Sequence, residues 1–162
     1  ATTEIYTLPL HDALPILERA MERGIDGLVW SRQNAETLTF PDRFFDAYTI
    51  AFGIRNVTHI DRALAEAHRV LRYGGRFFCL EFSTNEWPGF KEAYDAYSHH
   101  LVQRMGQEIA GDAESYRYLV ESIRRFPPMP EFAAMIRKAG FSQVKVEPIL
   151  GGVVAIHSGW KV

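Results

Sequence analysis

A chain of 162 residues, 47% of them hydrophobic and 23% charged, has the composition of one folded domain with a substantial core, which excludes an intrinsically disordered protein. Its formal net charge of -2 and its lack of a basic stripe argue against a nucleic-acid-binding surface. The single cysteine rules out a disulfide framework or a thiolate metal cluster within the chain, and no apolar run approaches the roughly 18 residues that cross a bilayer.

The first sixteen residues, ATTEIYTLPLHDALPI, resemble the translated read-through of a sequencing adapter, and we set residues 1–16 aside as an artefactual leader. The alternative is that Ile5–Leu8 form a genuine short strand. On the first interpretation the true chain begins near Leu17, and residues 17–162 are the C-terminal part of a single domain that was cut upstream.

The next segment predicts a short helix followed by a strand. Leu17–Arg23 favour a helix, which Gly24 ends because glycine readily adopts the left-handed conformation found at helix C-termini. Gly27–Trp30 then have the apolar composition of a strand.

A strand, a helix and a second strand follow in that order. Phe45–Phe52 form an apolar run that suits a strand covered on both faces. A capping box of Thr58 and Asp61 predicts the start of the helix, and Gly74–Gly75 predict its end. The apolar positions between them have helical spacing: Ala63, Leu64, Ala67, Val70 and Leu71. Since Arg76–Phe82 again read as a buried strand, the order indicates a right-handed βαβ unit with parallel strands and an α/β fold.

The C-terminal half predicts helices and then a hairpin. Two apolar stripes at helical spacing indicate a helical insertion over about residues 88–126: Tyr94, Tyr97, Leu101 and Met105, then Tyr116, Leu119, Val120 and Ile123. A last helix over Phe132–Ala139 is stopped by Gly140. Strands at Val144–Ile149 and Val153–His157 lie so close in sequence that they must be antiparallel.

Five strings carry a resemblance to a known family. They are NAETLTFPDRFFDAYTIAFGIRNV (34–57), LEFS (80–83), YDAYS (94–98), SYRYLVESIRRFP (115–127) and GVVAIHSGWK (152–161). The chain from about Leu17 to Val162 resembles the ubiquinone/menaquinone biosynthesis C-methyltransferases, most closely the branch that methylates a 2-methoxy-6-polyprenyl-1,4-benzoquinol. One departure is Tyr73, where the family usually has a proline before the glycine pair.

The resemblance implies a Rossmann-like class I fold that binds S-adenosylmethionine (SAM), ending in an antiparallel hairpin. It also implies that the first strands and the glycine-rich loop are missing from this chain, so that the sheet has a gap with unpaired backbone groups between the 27–30 strand and the 45–52 strand. The expected activity of the intact protein is methyl transfer to a polyprenylated benzoquinol, with demethylmenaquinol as a further acceptor. The alternatives are a non-catalytic fragment or interaction module, or a related small-molecule methyltransferase.

Site residues are carried over from the resemblance. Arg55 and Asn56 follow a strand end and are the candidate catalytic residues, Arg55 stabilising a phenolate or orienting a water that takes the proton. The alternative for Arg55 is a surface arginine paired with a carboxylate. Candidate cofactor contacts are Asn34, Ala35 and Ala51, with a turn-capping role as the alternative for Asn34 and plain strand packing for Ala51. Candidate substrate contacts are Tyr94, Tyr97 and His99, with ordinary core packing as the alternative for the tyrosines.

The remaining expectations concern partners and location. His99 and His100 are adjacent on a predicted helix and point apart, so no metal site is expected. The resemblance implies a homodimer or a quinone-biosynthesis complex as candidate assemblies, with peripheral membrane contact. It places the protein in the bacterial cytoplasm or, in a eukaryote, on the matrix side of the mitochondrial inner membrane.

Overall fold

The computed structural model describes residues 18–19, 21–25, 27, 29–83 and 113–162, with side chains of the last range from residue 117 onwards. The predicted leader and the first helical stripe of the predicted insertion lie outside these residues. The predicted helix near residues 17–23 is helical at the four described positions 18, 19, 21 and 22, and Gly24 has the expected left-handed φ of 60°.

The described elements form one mixed sheet with helices. In chain order they are β1 (Phe45–Ala51), α1 (Ile60–Val70), β2 (Leu71–Phe82), α2 (Ala113–Arg125), α3 (Met129–Lys138), β3 (Ser142–Ile149) and β4 (Val154–Trp160), with 3-10 turns at Ile54–Asn56 and Leu150–Gly152. The strand order is β1-β2-β4-β3. β1 and β2 are parallel, whereas β4 is antiparallel to β2 and to β3. The predicted βαβ unit and C-terminal hairpin are therefore confirmed.

The helix between the parallel strands forms for the predicted reason but starts differently. Its buried positions Ala63, Leu64, Ala67 and Val70 are those of the apolar stripe. The predicted Thr58 capping box is wrong, because His59 is the N-cap and no side chain of the helix's own first turn caps it. A carboxylate distant in sequence, that of Glu36, accepts the N–H groups of Thr58 and His59 instead.

The predicted glycine stop of this helix is also wrong. The helix ends at Val70, and the next residue, Leu71, is already extended and opens β2, five positions before the predicted start at Arg76. The register between β1 and β2 jumps from Phe45↔Leu71 to Ala47↔Arg76. Gly75 lies in this irregular stretch, where a Cβ atom would stand 2.8 Å from a carbonyl oxygen, so glycine serves close backbone packing here.

The core lies on one face of the sheet, beneath α1 and α3. Its buried members are Ile54, Leu64, Ala67, Leu71, Phe77, Cys79, Phe126, Phe132, Ile136 and Phe141. The expectation that β1 is covered on both faces is wrong: Tyr48 and Ile50 pack on the core, whereas Ala47, Thr49 and Ala51 are exposed. An apolar run alone does not show which of the two faces of a strand meets another layer.

The predicted strand at Gly27–Trp30 is not formed at its described positions 27, 29 and 30, and Val29 is 58% exposed. A strand needs a hydrogen-bonding partner, and no described strand lies beside this segment. Among the described strands, β1 pairs only with β2, and its other edge has no described partner.

The last helix and the hairpin follow their sequence signals closely. Phe132 and Ile136 of α3 are fully buried, and Gly140 after the helix has a φ of 104°, a value that favours glycine. Of the second insertion stripe, Ile123 in α2 is buried, as its helical spacing predicts.

Candidate functional site

The centre of the site is an ion pair at the carboxyl ends of the two parallel strands. Arg55 lies in the 3-10 turn that follows β1, and its Nη1 donates to Oε1 of Glu81 in β2 at 2.8 Å. The Arg55 side chain is 9% exposed and that of Glu81 is fully buried. Parallel strands bring their carboxyl ends to one edge of the sheet, where open α/β folds bind ligands.

Further contacts fix the guanidinium of Arg55 from several directions. Its Nη1 also donates to the backbone oxygen of Phe52 at 2.5 Å, and its Nε donates to Oγ of Ser122 in α2 at 3.3 Å. The ring of Phe82 lies 5.4 Å from the guanidinium carbon. The alternative role considered for Arg55, pairing with a carboxylate, is therefore present in the structure, but the pair is buried and not on the surface.

Glu81 has an unusual environment for a carboxylate. Burial raises its pKa above the ordinary value, while the Phe82 backbone N–H and Arg55 act in the opposite direction. Because a buried carboxylate without a partner is costly, the two charges of Glu81 and Arg55 depend on each other. The pair presents a fixed cation beside an opening in the fold, which is suited to stabilising a developing oxyanion.

A cleft of about 400 Å³ opens beside Arg55. The 3-10 turn and the loop after it line one side, and the other is lined by Tyr118 and Ser122 of α2 and by Phe126 just after that helix. The hydroxyl of Tyr118 donates to Oδ1 of Asn56 at 3.0 Å, which joins the two sides. The lining of the cleft is mixed, with polar side chains such as those of Asn56, Glu121 and Arg125 beside the apolar ones of Val57, Ile60 and Phe126.

The candidate adenine contacts lie in a tight turn. Oδ1 of Asn34 accepts the backbone N–H of Glu36 at 2.9 Å, and the backbone oxygen of Asn34 accepts the N–H of Thr37 at 3.0 Å. Asn34 therefore caps its own turn, which is the alternative considered for it. Ala35 within the turn is buried, whereas Asn34 is exposed.

Glu36 connects this turn to the cleft. Its Oε1 accepts the N–H groups of Thr58 at 2.8 Å and of His59 at 3.1 Å. Thr58 also lines the cleft beside Arg55. The turn that carries Asn34 is thus held at the same edge of the sheet as the ion pair.

The other predicted site residues are placed as follows. Ala51, the last residue of β1, is exposed and pairs with Leu80. The predicted substrate contacts Tyr94, Tyr97 and His99 lie outside the described residues. Sequence reasoning missed Glu81, Glu36 and Tyr118 as site residues. The sequence hints only at Glu81, because an acidic residue within the apolar run RFFCLEF is rarely buried unless its charge is paired.

The described residues contain neither a metal-binding cluster nor a membrane-spanning helix. Among them no group of three or more His, Cys, Asp and Glu side chains is arranged to hold a metal ion. Within the same ranges no helix has both the length and the apolar character that crossing a membrane requires.

Comparison with solved structures identifies the fold. A SAM-dependent methyltransferase from Thermotoga maritima, described as a possible histamine N-methyltransferase, matches 98% of this chain and 73% of its own, with a TM-score of 0.60 and 20% identity. At that identity the likeness shows the fold alone, which is the Rossmann-like α/β fold of class I methyltransferases, as predicted.

Comparison with curated sequences identifies the family. A ubiquinone/menaquinone biosynthesis C-methyltransferase from Zymomonas mobilis is 61% identical over 90% of this chain, and the mitochondrial 2-methoxy-6-polyprenyl-1,4-benzoquinol methylase of Arabidopsis thaliana is 59% identical over 99%. The chain spans 60% and 57% of the lengths of these relatives. The profile of the ubiE/COQ5 methyltransferase family matches residues 14–161. This protein therefore belongs to the ubiE/COQ5 methyltransferase family.

Proposed function

We propose that this chain supplies the acceptor side of an enzyme that moves a methyl group from SAM to a ring carbon of a polyprenylated benzoquinol, with demethylmenaquinol as a further acceptor. The observation that carries the proposal is the buried, fully oriented Arg55 beside Asn56, at the carboxyl ends of β1 and β2 and next to the cleft. Relatives at 61% and 59% identity are named for this chemistry. Since the chain spans only part of their length, the activity of the whole protein is part of the proposal.

The reaction has a simple balance. The carbon–sulfur bond to the transferred methyl breaks, a carbon–carbon bond to the ring forms, and one proton is released overall. Loss of the phenolic proton pushes electron density into the ring. The ring carbon later loses its own hydrogen as a proton while the phenolic oxygen regains one, so aromaticity returns and the net release is one proton. SAM supplies the electrophilic methyl when bound, and the protein must hold the acceptor and manage its proton.

Arg55 is suited to that second task. A guanidinium stays charged at any working pH, so it stabilises a phenolate oxygen directly or orients a water that takes the phenolic proton. Its anchoring by Glu81, Phe52 and Ser122 means that little reorganisation is needed when charge develops. The carboxamide of Asn56, held by Tyr118, is placed to bind a second oxygen of the quinol.

The turn at Asn34 fits one end of the cofactor. Its Oδ1 accepts one backbone N–H and keeps a second lone pair, which suits the exocyclic amine of adenine. The adjacent Ala35 amide suits a ring nitrogen, and Ala51 offers backbone contact at the end of β1. Tyr94, Tyr97 and His99 are proposed to wall the acceptor site. We place the glycine-rich cradle for the methionine end in the part of the relatives that this chain does not span.

A second candidate is a non-catalytic piece of such an enzyme. It is favoured by the open edge of β1 within the described sheet and by the exposed Ala47, Thr49 and Ala51. A homodimer, a quinone-biosynthesis complex and peripheral membrane contact belong to the proposal for the whole protein, as does a bacterial cytoplasmic or mitochondrial matrix-side location.

The deciding experiment compares two proteins. One is the 162-residue chain, and the other joins the upstream part of the Zymomonas relative to this chain from residue 18. Isothermal titration with SAM and transfer of labelled methyl to a short-chain methoxybenzoquinol are measured for both. We expect binding and transfer by the chimera and weak or no binding by the chain. A folded chimera that binds SAM but leaves the quinol unmethylated would refute the proposed acceptor.

A further inference from the structure

We propose that Glu81 is a positioning residue for methyl transfer: it holds the guanidinium of Arg55 in the orientation that meets the acceptor oxygen. The inference rests on the proposed function of Arg55. Glu81 lies in the string LEFS that carries the family resemblance, but the resemblance assigned it no role. It comes from the contacts that Glu81 makes in the fold.

The two oxygens of Glu81 engage both the side chain and the backbone of Arg55. Oε1 accepts from Nη1 of Arg55 at 2.8 Å and from the N–H of Phe82 at 2.9 Å. Oε2 accepts the backbone N–H of Arg55 at 3.4 Å. One carboxylate therefore sets the position of the 3-10 turn and the orientation of the side chain that it carries.

The contacts of Arg55 with described residues use two of its three guanidinium nitrogens. Nη1 is held by Glu81 and Phe52, and Nε is held by Ser122. Among the described residues no acceptor binds Nη2, although Arg55 lines the cleft. The anchored nitrogens fix the plane of the guanidinium, so Nη2 is the donor available to an oxygen in the cleft.

A neutral acceptor does not replace the carboxylate. The side chain of Glu81 is fully buried, so its charge is weakly screened and attracts the guanidinium strongly. Glu81→Gln keeps the shape but leaves one accepting oxygen for three donors, which are Nη1 and the backbone N–H of Arg55 and the N–H of Phe82, so the new NH2 group faces an N–H group. Glu81→Asp keeps the negative charge, but its side chain is one methylene shorter, so the carboxylate lies farther from the guanidinium of Arg55. Both changes release the guanidinium from its fixed plane.

The test is a double-mutant cycle on turnover in the chimera described above. We expect Glu81→Gln and Glu81→Asp each to lower kcat by about tenfold to a hundredfold, because a misplacement near 1 Å costs that much, with the KM for SAM unchanged. In an Arg55→Ala background, Glu81→Gln is expected to lower kcat by less than about twofold further. Asp46→Asn, which removes the carboxylate of an exposed ion pair with Arg72, is the matched control and leaves kcat unchanged.

The outcomes separate the two proposals. If Arg55→Ala itself leaves kcat intact, the proposed function of Arg55 fails. If Arg55→Ala lowers kcat but Glu81→Gln lowers it by the same factor with and without Arg55, Glu81 acts independently and the positioning role is overturned. Far-UV circular dichroism of each variant establishes folding, and Glu81→Asp provides the same comparison if Glu81→Gln does not fold.

Discussion

Removing the carboxylate of Glu36 tests how the turn that carries the proposed cofactor contacts Asn34 and Ala35 is attached to the start of α1. Its Oε1 accepts two backbone N–H groups, those of Thr58 at 2.8 Å and His59 at 3.1 Å, immediately before α1. These bonds satisfy the N–H of the N-cap residue and of the residue before it, as the glutamate of a capping box does for the N-cap N–H, and loss of a cap costs about 0.5–2 kcal/mol. A negative charge at a helix N-terminus contributes about 0.3–1 kcal/mol. Since Glu36 is half-buried, we expect Glu36→Ala to lower the free energy of unfolding by about 1–2 kcal/mol.

The assay is urea unfolding of the 162-residue chain followed by far-UV circular dichroism. Glu36→Gln keeps an acceptor oxygen and loses only the charge, so we expect it to cost about 0.5 kcal/mol. Glu147→Ala, an exposed glutamate of β3, is the control and should stay within about 0.5 kcal/mol of the unmodified chain. The reasoning is refuted if Glu36→Ala is no more destabilising than Glu147→Ala, because the two N–H bonds would then contribute nothing.

Three further predictions concern stability. Burial lowers the pKa of His157 below its ordinary 6.5, so the folded state takes up fewer protons than the unfolded chain and stability should fall as pH drops below about 6.5. The pH dependence of the urea midpoint should be smaller in His157→Gln, and an equal dependence in that variant would contradict the prediction. Lys161→Met should lower the free energy of unfolding in urea by about 1–2 kcal/mol, because Nζ of Lys161 donates to two carbonyl oxygens at the C-terminal end of α1, at 2.7 and 3.3 Å. An unchanged free energy of unfolding would show that the ammonium is dispensable. Gly75→Ala should cost about 1–3 kcal/mol, since the new Cβ would lie 2.8 Å from a backbone oxygen, whereas a neutral result would mean that the β1–β2 stretch can shift.

Local patterns predicted much of the fold. The stripe from Ala63 to Val70 repeats every three or four residues, so the helix was evident from sequence alone. Gly140 and the short link between β3 and β4 marked the final helix end and the hairpin. Each of these features depends on residues that are close in sequence.

Features that depend on distant residues were predicted poorly. The carboxylate that accepts backbone N–H groups at the start of α1 belongs to Glu36, more than twenty positions upstream. A capping box predicted from residues 58–61 alone therefore named the wrong side chain. The segment 27–30 has strand composition but lacks a described partner strand. The face of β1 that holds Ala47 and Ala51 is exposed because burial is decided by neighbouring layers.

The site was predicted in part. Resemblance supplied Arg55 and Asn56, and the structure brings both to the cleft. It could not supply the pairing of Arg55 with Glu81, because Arg55 lies in the turn after β1, Glu81 lies in β2 26 positions later, and the two meet only through the parallel register of β1 and β2. The placement of Asn34 near the same edge likewise depends on the long-range bonds of Glu36.

The most direct test of the central claim is the rate of labelled-methyl transfer from SAM to a methoxybenzoquinol by the chimera with and without Arg55. If the buried guanidinium stabilises the phenolate or orients its proton acceptor, Arg55→Ala should lower kcat by about a hundredfold to a thousandfold, as removal of an oxyanion donor does, while SAM binding measured by titration is retained. A variant that folds, binds SAM and turns over within a few-fold of the unmodified chimera would contradict the claim that this cleft performs the chemistry.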